Sequence, residues 1–223
     1  IMITITPERK DINKAAHAKK YSSAIRLWHW LNAIAITGSL LTVLLHSTIM
    51  GAWDNGQLIK TNLAGKGVNV TDDQARSAAH EISDKAWAVH IYFGYALAGL
   101  FLFRLTAEFF QLTDQRLIRK IKSAYRQYYI VKRNREMVRH EFWVKTIYAI
   151  FYLLLFITVI TGLCLVFEDN IPALKRLHFI REIHQINMYL ILAFIVVHLV
   201  GVFLAERKNS KGIVSDMIHG GSE

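Results

Sequence analysis

The chain has 223 residues, of which 53% are hydrophobic, and a formal net charge of +10. Its apolar residues gather in four long blocks, which is typical of an integral membrane protein rather than of a soluble domain. Lysine and arginine lie mainly between these blocks, so the charge indicates lipid head groups as partners and not nucleic acid. The one cysteine, Cys164, excludes a disulfide within this sequence and a cysteine metal cluster.

The first apolar block follows a polar tail, residues 1–22, and predicts a transmembrane helix over residues 25–46. Trp28 and Trp30 near its start are typical of an interfacial aromatic belt. No small-residue cleavage site follows this block, so we expect no cleaved signal peptide. The polar residues 47–85 predict an external loop, within which the sequence TDDQ from Thr71 indicates the start of a short helix.

Three further blocks predict transmembrane helices over residues 87–110, 146–167 and 183–205. Residues 111–145 hold ten basic and three acidic side chains, and they predict an amphipathic segment lying on the head groups. A second polar tail covers residues 206–223. The sequence therefore predicts a single all-α membrane domain over residues 1–223, built as a bundle of four transmembrane helices.

The charge distribution predicts the orientation of this bundle. Four spans place both termini on one side, and the segments on that side hold nineteen lysines and arginines. The two opposite loops, residues 47–85 and 167–182, hold seven. Because basic loops stay inside, we expect both termini to be cytoplasmic.

Two histidines in the last span, His184 and His198, lie fourteen residues apart. At about 100° and about 1.5 Å per residue, fourteen steps return to within about 40° of the starting direction and advance about 21 Å. One helix face thus offers an imidazole near each membrane surface. Ionisable side chains inside a membrane are functional candidates, and a haem b takes one axial imidazole from each of two facing helices.

Depth in the membrane pairs these histidines with two others. His29 is at the cytoplasmic end of the first span, as is His198 in the fourth, and His90 is at the external end of the second span, as is His184. We therefore predict two haem b groups between the first, second and fourth helices, with these four histidines as iron ligands. His46 is the alternative to His90, although it is rotated about 100° from His29. Hydrogen bonding between helices, without a cofactor, is the alternative for the whole set.

Three more residues are candidates for binding the same cofactors. Gly94, one turn after His90, leaves room for a porphyrin plane, with ordinary helix packing as the alternative. Arg104, fourteen residues after His90, is at the depth of the inner haem and suits a propionate, with a snorkelling arginine as the alternative. Arg26, three residues before His29, is a weaker candidate of the same kind.

Four motifs carry a resemblance to a known family. They are RLWHWLNA around His29, HIYFGYALAGLFLFRL from His90, EIHQINMY with IVVHLVGVFLAERK in the last span, and GIVSDMIHG near the end. Together they cover about residues 21–220. The chain resembles the four-helix di-haem cytochrome b subunits of membrane-bound nickel-iron hydrogenases and related formate dehydrogenases.

The resemblance implies an electron-transfer subunit of an oxidoreductase complex in the bacterial inner membrane. An external catalytic subunit would oxidise its substrate, and an iron-sulfur subunit would pass the electrons to the outer haem. From there they would cross to the inner haem and reduce a membrane quinone. Asn32 is a candidate quinone contact, with an interhelical hydrogen bond as the alternative.

Two other functions compete with this one. A stand-alone di-haem oxidoreductase would move electrons between quinone and a small oxidant such as superoxide. A haem-free membrane anchor would have no haem b spectrum. The long basic segment and the matching C-terminal motif favour the electron-transfer subunit, because a stand-alone enzyme needs neither.

Overall fold

The computed structural model describes residues 23–110, 135–208 and 212–220, and every regular element in these ranges is an α-helix. The helices are α1 (Ser23–Thr48), α2 (Ala52–Ala64), α3 (Asp72–Phe110), α4 (Arg135–Val166), α5 (Pro172–Lys175), α6 (Phe179–Lys208) and α7 (Ile213–His219). The predicted all-α class is confirmed.

Four of the described helices are long and apolar enough to cross a membrane, by length and composition. The candidate spans are Ser23–Thr48, Asp72–Ala107, Thr146–Val166 and Phe179–Arg207. Many of their large apolar side chains are exposed, as expected where lipid surrounds the helices. The four predicted spans are therefore confirmed, with ends shifted by a few residues in the first, third and fourth.

The prediction of a loop over residues 47–85 is wrong for Ala52–Ala64, which is helical, while the external position of the segment stays a prediction. α2 occupies its first half, and α3 begins at Asp72 rather than at Trp87. No glycine or proline lies between these two residues, so nothing in the backbone interrupts the helix before it becomes apolar. The second span is thus the continuation of a polar helix.

The start of α3 has the reciprocal cap predicted for TDDQ. The backbone N–H of Gln74 donates to Thr71 Oγ1 at 3.2 Å, and the backbone N–H of Thr71 donates to Gln74 Oε1 at 2.9 Å. Two N–H groups that the first turn leaves unpaired are thereby satisfied. The predicted helix start is confirmed, although the helix runs far beyond Lys85.

α2 and the polar start of α3 form an ordered helical hairpin. Gly56 is buried, and a Cβ at this position would come within 3.2 Å of the Arg76 Cα, so the two backbones approach closely. Lys60 Nζ lies 2.7 Å from Asp72 Oδ1, and the Arg76 guanidinium lies 4.4 Å from the centre of the Trp53 ring. The segment predicted to be external therefore has a defined structure of its own.

Some predictions fall on residues outside the described ranges. The predicted polar tail at the N-terminus, residues 1–22, lies entirely outside them. The predicted amphipathic segment, residues 111–145, is described only from Arg135, where α4 begins. The tail after α6 is described at residues 212–220, where α7 lies between two glycines in the left-handed region, Gly212 and Gly220.

The described residues belong to two compact units. Unit 1 contains residues 23–30, 193–208 and 212–220, and unit 2 contains residues 31–110 and 135–192. α1 and α6 contribute residues to both units. The single domain over residues 1–223 stays a prediction.

Candidate functional site

In unit 2, α3 and α6 bring His90 and His184 together. The centres of the two imidazole rings are 6.5 Å apart, and the ring planes are 83° apart. Both side chains are half-buried. The two residues predicted as ligands of the outer haem are therefore neighbours.

In unit 1, α1 and α6 bring His29 and His198 together. Their ring centres are 6.2 Å apart, with an angle of 59° between the planes. Both side chains are half-buried. The second predicted pair is therefore also formed.

The two separations fit one iron atom between the rings of each pair. An imidazole nitrogen lies about 2 Å from a metal that it ligates and about 1.2 Å from its own ring centre, so two axial imidazoles have centres about 6.4 Å apart. The observed 6.2 and 6.5 Å agree with this value. In the described ranges, no three His, Cys, Asp or Glu side chains cluster as ligands of a metal ion. Each pair offers two facing imidazoles, which are the protein ligands that a haem b iron takes.

Gly94 adds space beside one of these histidines. It is half-buried, yet a Cβ built there would have no atom within 4 Å. Gly38 differs, because a Cβ at that position would overlap the Phe93 ring. Gly94 lies one turn after His90, and its contact with a porphyrin face stays a prediction.

Thr42 and Ser39 on α1 orient the His90 ring. Thr42 Oγ1 lies 3.0 Å from His90 Nδ1, and the Ser39 hydroxyl and carbonyl oxygens each lie 3.3 Å from the same atom. The Thr42 hydroxyl itself donates to the Ser39 carbonyl at 2.6 Å. On another side, the Trp87 ring stacks on His90 with a centre separation of 4.6 Å. The Nδ1 edge is occupied, which leaves Nε2 as the atom for ligation.

Thr161 on α4 orients the His184 ring in the same way. Its Oγ1 lies 2.8 Å from His184 Nδ1, and its hydroxyl donates to the Ile157 carbonyl at 2.6 Å. A Cβ at Gly162 would come within 3.3 Å of His184 Cε1, so the α4 backbone passes close to the ring. α4 has no predicted haem ligand, but it holds one that belongs to α6.

A buried amide keeps α4 and α6 in register. Asn187 is 3% exposed, and its Nδ2 donates to the Leu154 carbonyl at 2.8 Å and to Thr158 Oγ1 at 2.5 Å. It lies one turn after His184, as Thr158 lies one turn before Thr161. Interhelical amide bonds of this kind fix the packing of membrane helices.

The surroundings of the unit 1 pair are aromatic. The Phe194 ring is nearly parallel to His198 at a centre separation of 6.0 Å, and the Trp30 ring meets His29 edge-on at 5.5 Å. Among the described residues, neither imidazole has a hydrogen-bond partner. This pair therefore differs from the unit 2 pair in what orients its rings.

Two side chains that flank His29 hold the last turn of α7. Arg26 Nη1 donates to the Ile218 carbonyl at 2.6 Å, and Trp30 Nε1 donates to the Met217 carbonyl at 3.2 Å. Arg26 Nη2 also donates to Ser23 Oγ at 3.3 Å. The propionate contact of Arg26 stays a prediction, while the structure gives this arginine a role in docking α7.

Arg104 has a partner in unit 2. Its Nε donates to the Tyr152 hydroxyl at 2.9 Å, and its guanidinium lies 5.6 Å from the centre of that ring. Its contact with a haem propionate stays a prediction. Asn32 is 3% exposed, and its contact with quinone stays a prediction.

His46 has surroundings of its own. Its Nδ1 lies 3.2 Å from Ser83 Oγ, and its ring centre lies 4.8 Å from that of Trp87. The ring in contact with His184 is that of His90. The geometry supports the choice of His90 over His46, and the ligand roles themselves stay predictions.

Sequence reasoning did not find Thr42, Thr161 or Asn187. The available signal was a hydroxyl or amide residue inside an otherwise apolar block, at the depth of a predicted ligand. Such residues are common in membrane helices, so the signal becomes specific only once the helix rotations are known.

Comparison with known proteins gives one family. A sequence model of the prokaryotic cytochrome b561 family matches residues 20–220, which include all four histidines of the two pairs and α7. Neither a curated protein nor a solved structure matches the chain.

Proposed function

Because the chain belongs to the prokaryotic cytochrome b561 family, we propose that it is a di-haem subunit that carries electrons across a membrane to quinone. Membership of the family makes it a membrane haem b protein of electron transport. We propose, beyond this membership, the number of haems, the direction of electron transfer, the quinone and the protein partners.

One observation carries the proposal of two haems. Each unit contains one pair of histidines, and in each pair the ring centres are separated as two axial ligands of one iron would be. When bound, haem b supplies an iron that gains and loses one electron. The chain's own part is to hold each ring pair in a fixed orientation inside an apolar helix environment.

The direction of transfer follows from the predicted orientation. The basic segments favour a cytoplasmic position for both termini, so His29 and His198 would be near the cytoplasmic surface. We propose that electrons enter at the His90–His184 pair and leave at the His29–His198 pair. There a quinone takes up two electrons and two protons to become quinol.

The proposal of protein partners rests on the resemblance of the sequence to hydrogenase and formate dehydrogenase subunits. We propose external iron-sulfur and catalytic subunits of a hydrogenase or dehydrogenase type, in a bacterial inner membrane. The four motifs that carry this resemblance lie within residues 20–220, the same range that the family model matches. With such partners the chain is one subunit of an oxidoreductase rather than a complete enzyme.

Purification from native membranes in mild detergent tests the proposal. We expect a reduced-minus-oxidised haem b spectrum, a co-purifying iron-sulfur protein, and haem reduction when the partner's substrate is added. Quinone should then reoxidise the haem in the intact complex but more slowly in a His198→Ala variant.

Other outcomes of this experiment would contradict the proposal. A chain that runs alone and consumes superoxide in the presence of quinone would be a stand-alone oxidoreductase. A preparation without haem b bands would support a membrane anchor.

A further inference from the structure

Thr42 and Thr161 have the same arrangement on two different helices. Each hydroxyl donates to a carbonyl of its own helix, at 2.6 Å in both cases. Each oxygen also lies beside the Nδ1 atom of one histidine of the same pair, at 3.0 Å from His90 and 2.8 Å from His184.

The chemistry of ligation fixes the direction of these two contacts. A histidine that binds a metal through Nε2 has its proton on Nδ1 and donates it to a neighbouring oxygen. A threonine hydroxyl has one proton, and here that proton is already donated to a backbone carbonyl. Both threonines can therefore only accept from the imidazole.

The protein holds the two acceptors in place. Thr161 is 9% exposed, and the Asn187 amide one turn away fixes the register of α4 against α6. Thr42 shares the Ser39 carbonyl with His90 Nδ1, so the hydroxyl, the carbonyl and the ring form one compact group. Neither acceptor can turn away without losing its bond to the backbone.

We propose that Thr42 and Thr161 are positioning residues that lower the reduction potential of the His90–His184 site. An acceptor at Nδ1 makes an imidazole a stronger electron donor to its metal, and stronger donation stabilises the oxidised iron. Among the described residues, the His29–His198 pair has aromatic neighbours and no such acceptor. The two threonines thereby favour electron flow from the His90–His184 site to the His29–His198 site. This inference rests on the proposed function, which requires an iron at each pair.

Substitution by valine tests the proposal, because it removes the hydroxyl and keeps the branched shape. The purified holo-protein is titrated optically against potential, and the ferric EPR spectrum is recorded for each variant. Thr161→Val should raise the midpoint of one haem component and leave the other unchanged. Thr42→Val should raise the same midpoint by a smaller amount, because the Ser39 hydroxyl and carbonyl oxygens stay 3.3 Å from His90 Nδ1. We expect a two- to tenfold change in the equilibrium constant for reduction, where tenfold is about 59 mV for one electron.

Conservative and matched variants separate this effect from a structural one. Thr42→Ser and Thr161→Ser keep the hydroxyl and should restore the wild-type midpoints. Thr48→Val is the control, because Thr48 donates to the Leu44 carbonyl at 2.6 Å and contacts no imidazole among the described residues, so both midpoints should stay unchanged. If a valine variant loses its haem, the same comparison is made between alanine and serine at that position.

The outcomes distinguish this inference from the proposed function. A wild-type protein with fewer than two haems would contradict the proposed function. If every variant keeps two haems but the midpoints stay unchanged, fall or shift together, the role of the threonines is overturned. The proposed function would stand in that case. The role of the threonines is also overturned if the serine variants have the same midpoints as the valine variants.

Discussion

The two histidine pairs have nearly equal ring separations and very different surroundings. In unit 2, hydroxyl groups from α1 and α4 bind the Nδ1 atoms of His90 and His184. In unit 1, aromatic rings contact His29 and His198, and α7 docks on the side chains that flank His29. The two sites therefore share the separation of their imidazole rings and differ in the side chains that contact those rings.

Helices without a predicted haem ligand also contribute to the surroundings of the two histidine pairs. α4 contributes Thr161 to one site, and α7 lies against the turn of α1 that contains the other. Each pair should therefore be sensitive to substitutions that leave the other unchanged.

Removal of a ligand should have the largest effect. His184→Ala should lower the haem b content from about two per chain to about one, because one iron loses an axial ligand. The remaining haem should have the spectrum of the His29–His198 site. Haem content is measured by the pyridine haemochrome assay on purified protein. His178→Ala, at an exposed position, is the control and should keep both haems. Equal loss of both haems in His184→Ala would refute the pairing.

Filling the space beside His90 should have the next largest effect. Gly94→Leu places a side chain where the structure has open space, and we expect it to exclude about half or more of the haem at that site. Gly99→Leu is the matched control, since Gly99 is equally open but exposed and not one turn from a predicted ligand. The readout is haem content together with EPR. Normal occupancy in Gly94→Leu would show that the porphyrin lies elsewhere.

Removal of α7 should have a smaller effect, confined to unit 1. A chain that ends at residue 211 loses the hydrogen bonds from Arg26 and Trp30, each of which contributes on the order of 1 kcal/mol. We expect a changed EPR signal and partial loss of the His29–His198 haem, with the other signal intact. A truncated protein in which both signals change alike would contradict the separate role of α7.

Substitution of His46 should have almost no effect. His46→Gln keeps a side chain that can hydrogen-bond to Ser83, and the ring beside His184 is that of His90. Both haems should remain, with their midpoints unchanged in a redox titration. Loss of one haem would mean that His46, and not His90, is the partner of His184.

The sequence predicted the spans and the pairing because both depend on helix geometry alone. Twenty apolar residues give a span, and a spacing of fourteen gives one helix face, so His184 and His198 could be placed before any contact was known. The partners at His29 and His90 followed from depth. The polar helix α2 and the continuity of α3 from Asp72 into the second span were missed, because the polar residues there lack a long apolar run.

Contacts that depend on helix rotation could not be predicted in this way. Thr42 and Thr161 reach the imidazoles only because α1 and α4 turn these faces toward α3 and α6. Arg104 Nε donates to the Tyr152 hydroxyl, a contact that the sequence did not predict, and the contact of this arginine with a haem propionate stays a prediction. A charged or hydroxyl side chain has several possible partners at one depth, and the sequence does not choose among them.

The most direct test of the account is the haem stoichiometry of the unmodified protein, purified in mild detergent and examined by EPR in the oxidised state. We expect two haem b groups per chain, with two low-spin ferric signals that are each typical of two axial imidazoles. A single haem, or a signal from any other axial ligand, would contradict it.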